Sequence, residues 1–583
     1  MKKILFIVSC LVCLPFVGTA QVDKKVEVTK TYAPSVEQAS KLRIKPDMTD
    51  TTKIRPDIDY TIIPLSMQTD FKMTPISPAT VTYWEFNRPR RFYLKAGAGM
   101  PANSVLDFYA STQQKSTGYA LGYINHEGRY DKLRNEFGVK NTATRMTNRM
   151  GAAAGKYFGR YSLEGDLSYE NRMYHRFGAF AAEGQDDEIY GSIPASQVDF
   201  GDVKFGLRFG DDFQDLDRTN FDLALHGDCF FDHSDWIGYS DKATQTTLGA
   251  DARVSHLWGA HYLMFHLGYE WIKGGVALND FEKHTIQLGL RYQTERPIWQ
   301  VEAGADYYYD KLNAVRSDWY ILPYARLKFK LGTPHLIPFI EVDGSLHKND
   351  YQSLTRQNPF LAPCVVMLHN SVDYRLRAGI AGSLWHDKFY YRIYGGVSLL
   401  KDNIAWLGLR TEELTDGLPL GAAFAAIPVR DDLTEASINF EAELRPTTSV
   451  HIAMGFSAFY FENDSEFESG RAKLKGNLAV RYEGRKFGCS ISADAFGKQK
   501  WTILSGVVMQ NDGRLGLPVE QPWVGDPFIS PFVVDLRVKL DWKINARIGL
   551  FAEGMNLANQ KIYRYPMYRE HGAGVTVGVK MQF

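Results

Sequence analysis

The chain has 583 residues, of which 45% are hydrophobic and 23% charged, with 67 Lys and Arg against 67 Asp and Glu. A single soluble core stops growing near roughly 250 to 300 residues, so a chain of this length either divides into domains or uses lipid as a second apolar phase. The balance of charge argues against a nucleic-acid partner and against a polybasic membrane-surface protein.

Residues 1–20 have the pattern of a secretory signal peptide. Lys2 and Lys3 precede an apolar run, and small residues lead to a cleavage site expected after Ala20. A lipoprotein signal ending at Cys10 would leave an apolar stretch shorter than such signals need, so cleavage without lipidation is favoured. Beyond the signal no apolar run approaches the roughly 20 residues of a spanning helix, which leaves a soluble exported protein or a β-barrel.

Residues 21–90 are predicted to be an extended, proline-containing segment that lies in the periplasm or in a barrel lumen. The stretch has many charges, few sustained apolar patterns and seven prolines, which makes a core of its own unlikely: Pro34, Pro46, Pro56, Pro64, Pro75, Pro78 and Pro89. Its start at residues 26–30 alternates apolar and polar residues and could add a strand to a partner's sheet edge. A solvated tether is the favoured alternative.

Residues 91–583 are predicted to form an all-β fold, a large transmembrane antiparallel β-barrel. In the last nine residues Val575, Val577, Val579, Met581 and Phe583 alternate with polar residues or glycine, the period of a strand with two unlike faces. Roughly 23 such segments can be counted, most about 9 to 13 residues long, where membrane strands need about 9 to 11 and soluble strands stop near 5 or 6.

A closed single-chain barrel with both ends in the periplasm needs an even strand number, so about 22 to 24 strands are expected. The odd count of segments places one miscounted strand among residues 80–86, 99–104 and 403–429.

The order of the connections supports the same fold, because outer-membrane barrels alternate short periplasmic turns with long extracellular loops. Tight turns are expected at residues 258–261, 295–298, 386–388, 446–448, 483–485 and 544–546. Long loops are expected at 172–198, 347–373, 400–434, 462–470, 498–530 and 558–570. Tryptophans near the two sets of strand ends predict two aromatic girdles: Trp258, Trp299, Trp385 and Trp542 on the periplasmic side, and Trp236, Trp271 and Trp319 on the other.

Candidate binding residues are few. Nine predicted lumen-facing cations could form a basic wall for an anionic solute: Arg326, Lys328, Lys330, Lys473, Lys475, Arg481, Arg537, Lys539 and Lys543. Other strands point carboxylates inward, among them Glu164, Asp166, Glu441 and Glu443, so a lumen of mutually compensating charge is favoured.

Two acidic loop clusters, one with Asp232, His233 and Asp235 and one with Glu462, Asp464, Glu466 and Glu468, lack calcium-loop spacing and are interpreted as solvated.

No catalytic residue, cofactor or metal site is predicted. The cysteines that remain after signal removal, Cys229, Cys364 and Cys489, lie far apart without metal-type spacing. The 14 histidines are scattered, and neither a G-x-S-x-G elbow nor an H-E-x-x-H motif is present. A surface enzyme using Asp232 and His233 is the least favoured hypothesis.

The C-terminal run from Gly549 to Asn559, the tyrosine-rich loop after it and a last strand ending in Phe583 resemble the end of TonB-dependent receptor barrels. The stretch from Val28 to Val36 is similar to the start of a branch of that group that lacks the usual plug domain. The resemblance implies a place in the cell outer membrane, contact with its lipid, and recognition of Phe583 by the barrel-assembly machinery.

The same resemblance implies solute uptake across the outer membrane, with residues 21–90 contacting an energy-transducing or other periplasmic protein. About 70 residues are too few for the folded plug of that group, which leaves energy coupling open. The alternative is a structural or assembly component of a multi-protein outer-membrane complex.

Overall fold

The computed structural model describes residues 90–112, 117–134, 140–178, 196–211, 218–234, 242–313, 316–361, 369–410, 425–465, 467–505, 508–509, 515–516 and 523–583. Across these ranges no helix is long and apolar enough to cross a bilayer. The predicted signal peptide and most of the predicted segment 21–90 lie outside the described residues and stay predictions.

Twenty-two antiparallel strands form one closed barrel, within the predicted range of strand number. In chain order the strands are β1 Phe92–Met100, β2 Asn103–Ser111, β3 Gly118–Arg129, β4 Arg145–Phe158, β5 Tyr161–Arg176, β6 Ser196–Asp211, β7 Asn220–Asp232, β8 Thr244–Trp258, β9 His261–Gly274, β10 Glu282–Glu295, β11 Trp299–Leu312, β12 Arg316–Phe329, β13 Ile337–His347, β14 Ser371–Leu384, β15 Phe389–Arg410, β16 Ala425–Thr447, β17 Val450–Asn463, β18 Leu474–Glu483, β19 Phe487–Phe496, β20 Val533–Lys543, β21 Ile548–Met555 and β22 Gly574–Gln582.

The barrel closes where the last strand pairs with the first. β22 runs antiparallel to β1 in a register from Tyr93 opposite Gln582 to Met100 opposite Val575. The amide of Phe92 donates to the carbonyl oxygen of Phe583 over 2.8 Å. Closure matters because a free strand edge in hydrocarbon would leave backbone polar groups without partners, at several kcal/mol for each group.

The two faces of each strand differ as the alternation predicts. On β7, Leu223 and Leu225 are among the exposed apolar side chains of the outer wall. Asp222 lies on the opposite face of the strand, the lumen side, where it accepts a hydrogen bond from Arg208 of β6 over 2.7 Å. The apolar rows therefore face lipid and the charged rows line the lumen, which confirms the predicted membrane barrel.

The predicted alternation of short and long connections is present over most of the barrel, with short extracellular connections at 101–102 and 313–315 as exceptions. Two-residue turns at 159–160, 259–260 and 448–449 join strands at the end where Phe583 lies. The opposite end carries the long connections, such as 348–370 and 556–573, and is the extracellular end of an outer-membrane barrel. Trp258, Trp385 and Trp542 are exposed at the periplasmic ends and Trp319 near the extracellular one. Trp236 lies outside the described residues.

Of the three segments left open from sequence, the structure describes one in full and one in part, and one connection expected as a loop contains strands. Residues 99–104 are a true hairpin between β1 and β2, whereas residues 80–86 lie outside the described part. The region 403–429 extends β15 to 22 residues and β16 to 23, well beyond the expected length. The connection 498–530, expected as a loop, contains the strands Gln499–Ser505 and Trp523–Ser530, because Gln499–Ser505 pairs in parallel with the extended end of β15.

Candidate functional site

The connection between β13 and β14, residues 348–370, folds into the extracellular mouth of the barrel. It carries the only α-helix in the described ranges, α1, Tyr351–Gln357. Asp350 caps the helix by accepting a hydrogen bond from the amide of Ser353 over 2.9 Å. Leu354 and Thr355 are fully buried. We call residues 348–361 the cap.

Hydrogen bonds from α1 reach lumen-facing residues of β6 and β7. The hydroxyl of Tyr351 donates to Asp232 over 2.6 Å, and the side-chain Nε2 of Gln352 donates to Asp202 over 2.8 Å. Arg356 lies 2.5 Å from the same Asp202 carboxylate. Both carboxylates are buried. Hydrogen bonds with a charged partner are the stronger kind, so these contacts fix the helix against the inner wall.

The start of the cap is held by β8 and β9. Gln245 of β8 donates to the carboxylate of Asp350 over 2.9 Å. Lys348 forms an ion pair with Glu270 of β9, and the same carboxylate lies 3.7 Å from Nε2 of His226 on β7. The cap is therefore tied to a continuous arc of wall from β6 to β9.

The far end of the cap meets a second extracellular connection in an aromatic cluster. The ring of Phe360 stacks on Tyr568 with centroids 3.5 Å apart and contacts Tyr565 edge to face at 5.6 Å. Phe177, after β5, packs on Tyr568 at 5.3 Å. Burial raises the pKa of Tyr565 to about 12. The carbonyl of Phe360 also accepts from the amide of Ala426 over 2.9 Å, so the cap bridges three parts of the rim.

The connection 556–573 contains a small hairpin of Tyr563–Tyr565 and Tyr568–Arg569. Glu570 follows it, 3.0 Å from Arg564 and 3.5 Å from Arg145 at the start of β4. Burial alone would raise the pKa of Glu570, but Arg145 and then Arg564 outweigh it and hold that pKa at about 2. The hairpin is thus fastened to the rim by charge as well as by aromatic packing.

The nine cations of the predicted basic wall lie in three groups, on β12, β18 and β20 and in the connections beside them. Five strands separate β12 from β18 around the wall. Arg326 lies between two carboxylates, 3.3 Å from Glu302 and 3.1 Å from Glu341.

Others in the set also have acidic neighbours, which are Glu295 for Lys330, Glu483 for Arg481, Asp535 for Arg537 and Glu553 for Lys539. Lys475 lies over the ring of Phe459. The proposal of a basic wall stays a prediction, as does the preference for a compensated lumen.

The interpretation of Asp232 as a solvated loop residue was wrong. Asp232 ends β7, is 5% exposed, and accepts hydrogen bonds from Tyr351 and from the amide of Ser234. Sequence inspection could not find this role, because its partner lies more than a hundred residues later. Asp235 and Glu466 lie outside the described residues. Within the described ranges no group of three or more His, Cys, Asp and Glu side chains is placed to hold a metal ion.

Phe583 lies at the barrel seam with its ring exposed. Its amide donates to the carbonyl of Phe92 over 3.1 Å, and the two rings are 5.3 Å apart. More than half of the side chain is open to the surroundings. A recognition role for this ring in assembly stays a prediction.

No family model matches the sequence, and no curated protein matches it. Solved structures do. The FrpB iron transporter from Neisseria meningitidis is 12% identical, with 85% of this chain and 82% of that chain covered at a TM-score of 0.64. The pyoverdine receptor FpvA from Pseudomonas aeruginosa is 10% identical, with 85% and 79% covered at 0.61. The siderophore receptor PirA from Acinetobacter baumannii is 12% identical, with 84% and 80% covered at 0.60.

At these identities the likeness concerns the fold, and the matched neighbours are receptors and transporters. The predicted resemblance to TonB-dependent receptor barrels is confirmed at the level of architecture. The chain is a 22-stranded β-barrel with the fold of TonB-dependent receptors, and it resides in the cell outer membrane.

Proposed function

We propose that the barrel is an outer-membrane receptor of the TonB-dependent type that takes up a solute through its capped mouth. The cap carries the proposal. Residues 348–361 are bonded to lumen-facing residues of β6 to β9 and stack on the connection 556–573, and their partly exposed Lys348 and Arg356 lie at the mouth where a solute would enter.

The chemistry of the cap suits a solute with anionic groups. The side chains of Lys348 and Arg356 are partly exposed and supply cations whose present partners are carboxylates of the wall. The buried stack of Phe360 and Tyr568 holds the cap in place. A solute with anionic groups could replace those carboxylates. FpvA, among the neighbours in fold, was solved bound to pyoverdine, which supports an organic chelate as one class to test.

Residues 21–90 are proposed to act in the periplasm or in the lumen. The guanidinium of Arg90 donates to the carbonyl of Gln582 over 2.7 Å, so the chain enters the wall beside the C-terminus at the periplasmic end. An energy-transducing or other periplasmic protein is the partner proposed for this segment.

A disulfide-locked cap tests the proposal. Leu361 and Ala426 are partners in a parallel bridge that joins the cap to β16. In a background with Cys229, Cys364 and Cys489 changed to Ser, the pair Leu361→Cys and Ala426→Cys should close the mouth when oxidised. The single Leu361→Cys variant is the control.

Growth of the deletion strain would be compared with that of wild type while iron chelates, copper chelates, vitamins, peptides or oligosaccharides are limiting in turn. The proposal expects a defect for at least one solute, restored by the reduced pair and not by the oxidised one. Unchanged growth on every solute, together with a stoichiometric protein complex after gentle detergent extraction, would favour the assembly role instead.

A further inference from the structure

A row of polar side chains crosses the outer wall near the extracellular end of β2, β3 and β4. His126 of β3 lies opposite Asn148 of β4, and Ser104 of β2 lies diagonal to His126, because its own partner on β3 is Gly128. They lie on the same face as Leu106, Ile124 and Met150, all exposed apolar residues of the lipid-facing wall. The row therefore lies on the outer, lipid-facing side of the barrel, near the extracellular ends of these strands.

The three side chains are joined in a fixed order. Oγ of Ser104 lies 2.7 Å from Nε2 of His126, and Nδ1 of His126 lies 2.6 Å from Oδ1 of Asn148. An amide oxygen can only accept, so Nδ1 carries the proton and Nε2 is left to accept from the serine hydroxyl. This is the arrangement in which a histidine removes a proton from a serine nucleophile while a third residue holds the ring.

The neighbours of the row support the same arrangement. Nδ2 of Asn148 donates to Asn171 over 3.4 Å, which fixes its oxygen toward His126. Nδ2 of Asn171 donates in turn to Asp199 over 2.5 Å, so a carboxylate ends the row. The amide of Asn148 is thus oriented by two further strands.

Tyr130 completes the site. Its hydroxyl lies 3.2 Å from Oγ of Ser104 and 3.0 Å from Nε2 of His126. The ring reaches this position over Gly128, where an added Cβ would meet the tyrosine hydroxyl at 2.2 Å. A glycine opposite Ser104 therefore makes room for a hydroxyl donor beside the serine, where an oxyanion would develop.

We propose that Ser104, His126, Asn148 and Tyr130 form a second site, which hydrolyses fatty-acyl esters of lipids in the outer leaflet. The hydroxyl of Ser104 attacks the ester carbonyl carbon as Nε2 of His126 takes its proton, and Tyr130 donates to the oxyanion. Collapse breaks the ester C–O bond, and the proton on Nε2 goes to the departing alcohol. Water then attacks the acyl-serine with His126 as base, which releases the fatty acid and restores Ser104.

The position of Ser104 on the outer wall favours a lipid as the substrate. The row faces the bilayer and not the lumen, so a lipid reaches Ser104 by diffusing along the wall, without passing the cap. The site is separate from the uptake route proposed above, and failure of either proposal leaves the other standing. Sequence motifs gave no sign of it, because the three residues are brought together by strand register alone.

A serine-directed fluorophosphonate probe tests the nucleophile. The full barrel, purified in detergent, is expected to be labelled at Ser104, as located by mass spectrometry, and Ser104→Ala and His126→Ala are expected to lose the label. Asn148→Leu should slow labelling, and Asn148→Asp, whose carboxylate also accepts from Nδ1, should restore it. Ser345 of β13 also lies near a histidine, 3.3 Å from His347, but among the described residues it has no Asn and Tyr placed as Asn148 and Tyr130 are. Ser345→Ala is therefore the matched control, and it should be labelled at Ser104 to the same extent as wild type.

Hydrolysis is then measured as fatty-acid release by the barrel in vesicles of phosphatidylethanolamine and, separately, in vesicles containing lipopolysaccharide. Release from either supports the proposal and identifies the lipid. We expect at least about a 100-fold loss in His126→Ala, the scale of a general base. Migration on unboiled gels confirms that each variant is folded. Release that survives Ser104→Ala, or absence of release from both vesicles, would overturn the proposal.

Discussion

The ring of Phe360 lies flat on the ring of Tyr568, with an interplanar angle of 5°. The first residue belongs to the connection between β13 and β14, and the second to the connection between β21 and β22. Their contact joins loops that start far apart around the rim. Both loops are therefore needed to cover the mouth of the barrel.

Replacing Phe360 with Ala should loosen the cap. An aromatic pair contributes about 1 kcal/mol beyond the area it buries, and the shortened side chain also loses its edge contact with Tyr565. We expect faster amide hydrogen exchange in residues 350–361 while the barrel strands exchange as before. Phe487→Ala, which removes an exposed ring of the outer wall, is the control. Equal exchange of the cap in Phe360→Ala and wild type would show that the stack does not hold it.

Asp202 should be the carboxylate on which α1 depends most, because it accepts from both Gln352 and Arg356. Asp202→Ala leaves both donors without that acceptor and should weaken docking of α1 by about 1 to 3 kcal/mol. Asp202→Asn keeps an acceptor and should have a smaller effect. Hydrogen exchange of residues 351–357 measures the difference. Faster exchange of these residues in Asp202→Asn than in Asp202→Ala would contradict the prediction.

The Glu570 ion pairs predict an acid-sensitive hairpin. The pKa of Glu570 is about 2 in the closed hairpin, below its ordinary value of 4.5. A depressed pKa means that the ion pairs stabilise the closed form fully above pH 4.5 and lose this effect as the pH falls toward 2. A spin label at Lys561→Cys should become more mobile across that window. Glu570→Gln should be mobile already at pH 6 and show no further change, and a similar acid response in that variant would rule out Glu570 as the cause.

Phe583 should matter for assembly more than for the finished barrel. Its ring is largely exposed, so Phe583→Ala removes little packing, whereas its backbone bonds to Phe92 remain. We expect a lower fraction of folded barrel in growing cells, measured by migration on unboiled gels, with unchanged thermal stability of the part that folds. Phe583→Tyr, which keeps the ring, is the control. Normal assembly of Phe583→Ala would remove the signal role.

The barrel could be predicted from sequence because its determinants are local. Alternation along one strand, as in residues 575–583, gives the two faces, and turn lengths give the order of the ends. The folded cap could not be predicted in this way. The connection 348–370 was recognised only as long, since nothing near Tyr351 indicates a partner such as Asp232, 119 positions earlier.

The same limit applies to side-chain clusters on the wall. Ser104, His126 and Asn148 are spaced by 22 residues each, and only the exact pairing of β2, β3 and β4 brings them together. The length of β15 was missed for a different reason. Its extracellular end pairs with Gln499–Ser505, a strand nearly a hundred residues later. This pairing holds the end of β15 in strand conformation although its sequence does not alternate regularly.

Each strand of the barrel has one face in hydrocarbon and the other toward the lumen, and every assignment of an inner or outer residue depends on this division. Spin labels at Leu225→Cys and Ala224→Cys on β7, in a cysteine-free background and reconstituted into vesicles, test it by accessibility to oxygen and to a water-soluble nickel complex. Position 225 should be accessible to oxygen and shielded from nickel, and position 224 should show the lower ratio of oxygen to nickel accessibility. Equal ratios at the two positions would show that the two faces of β7 are not divided between lipid and lumen.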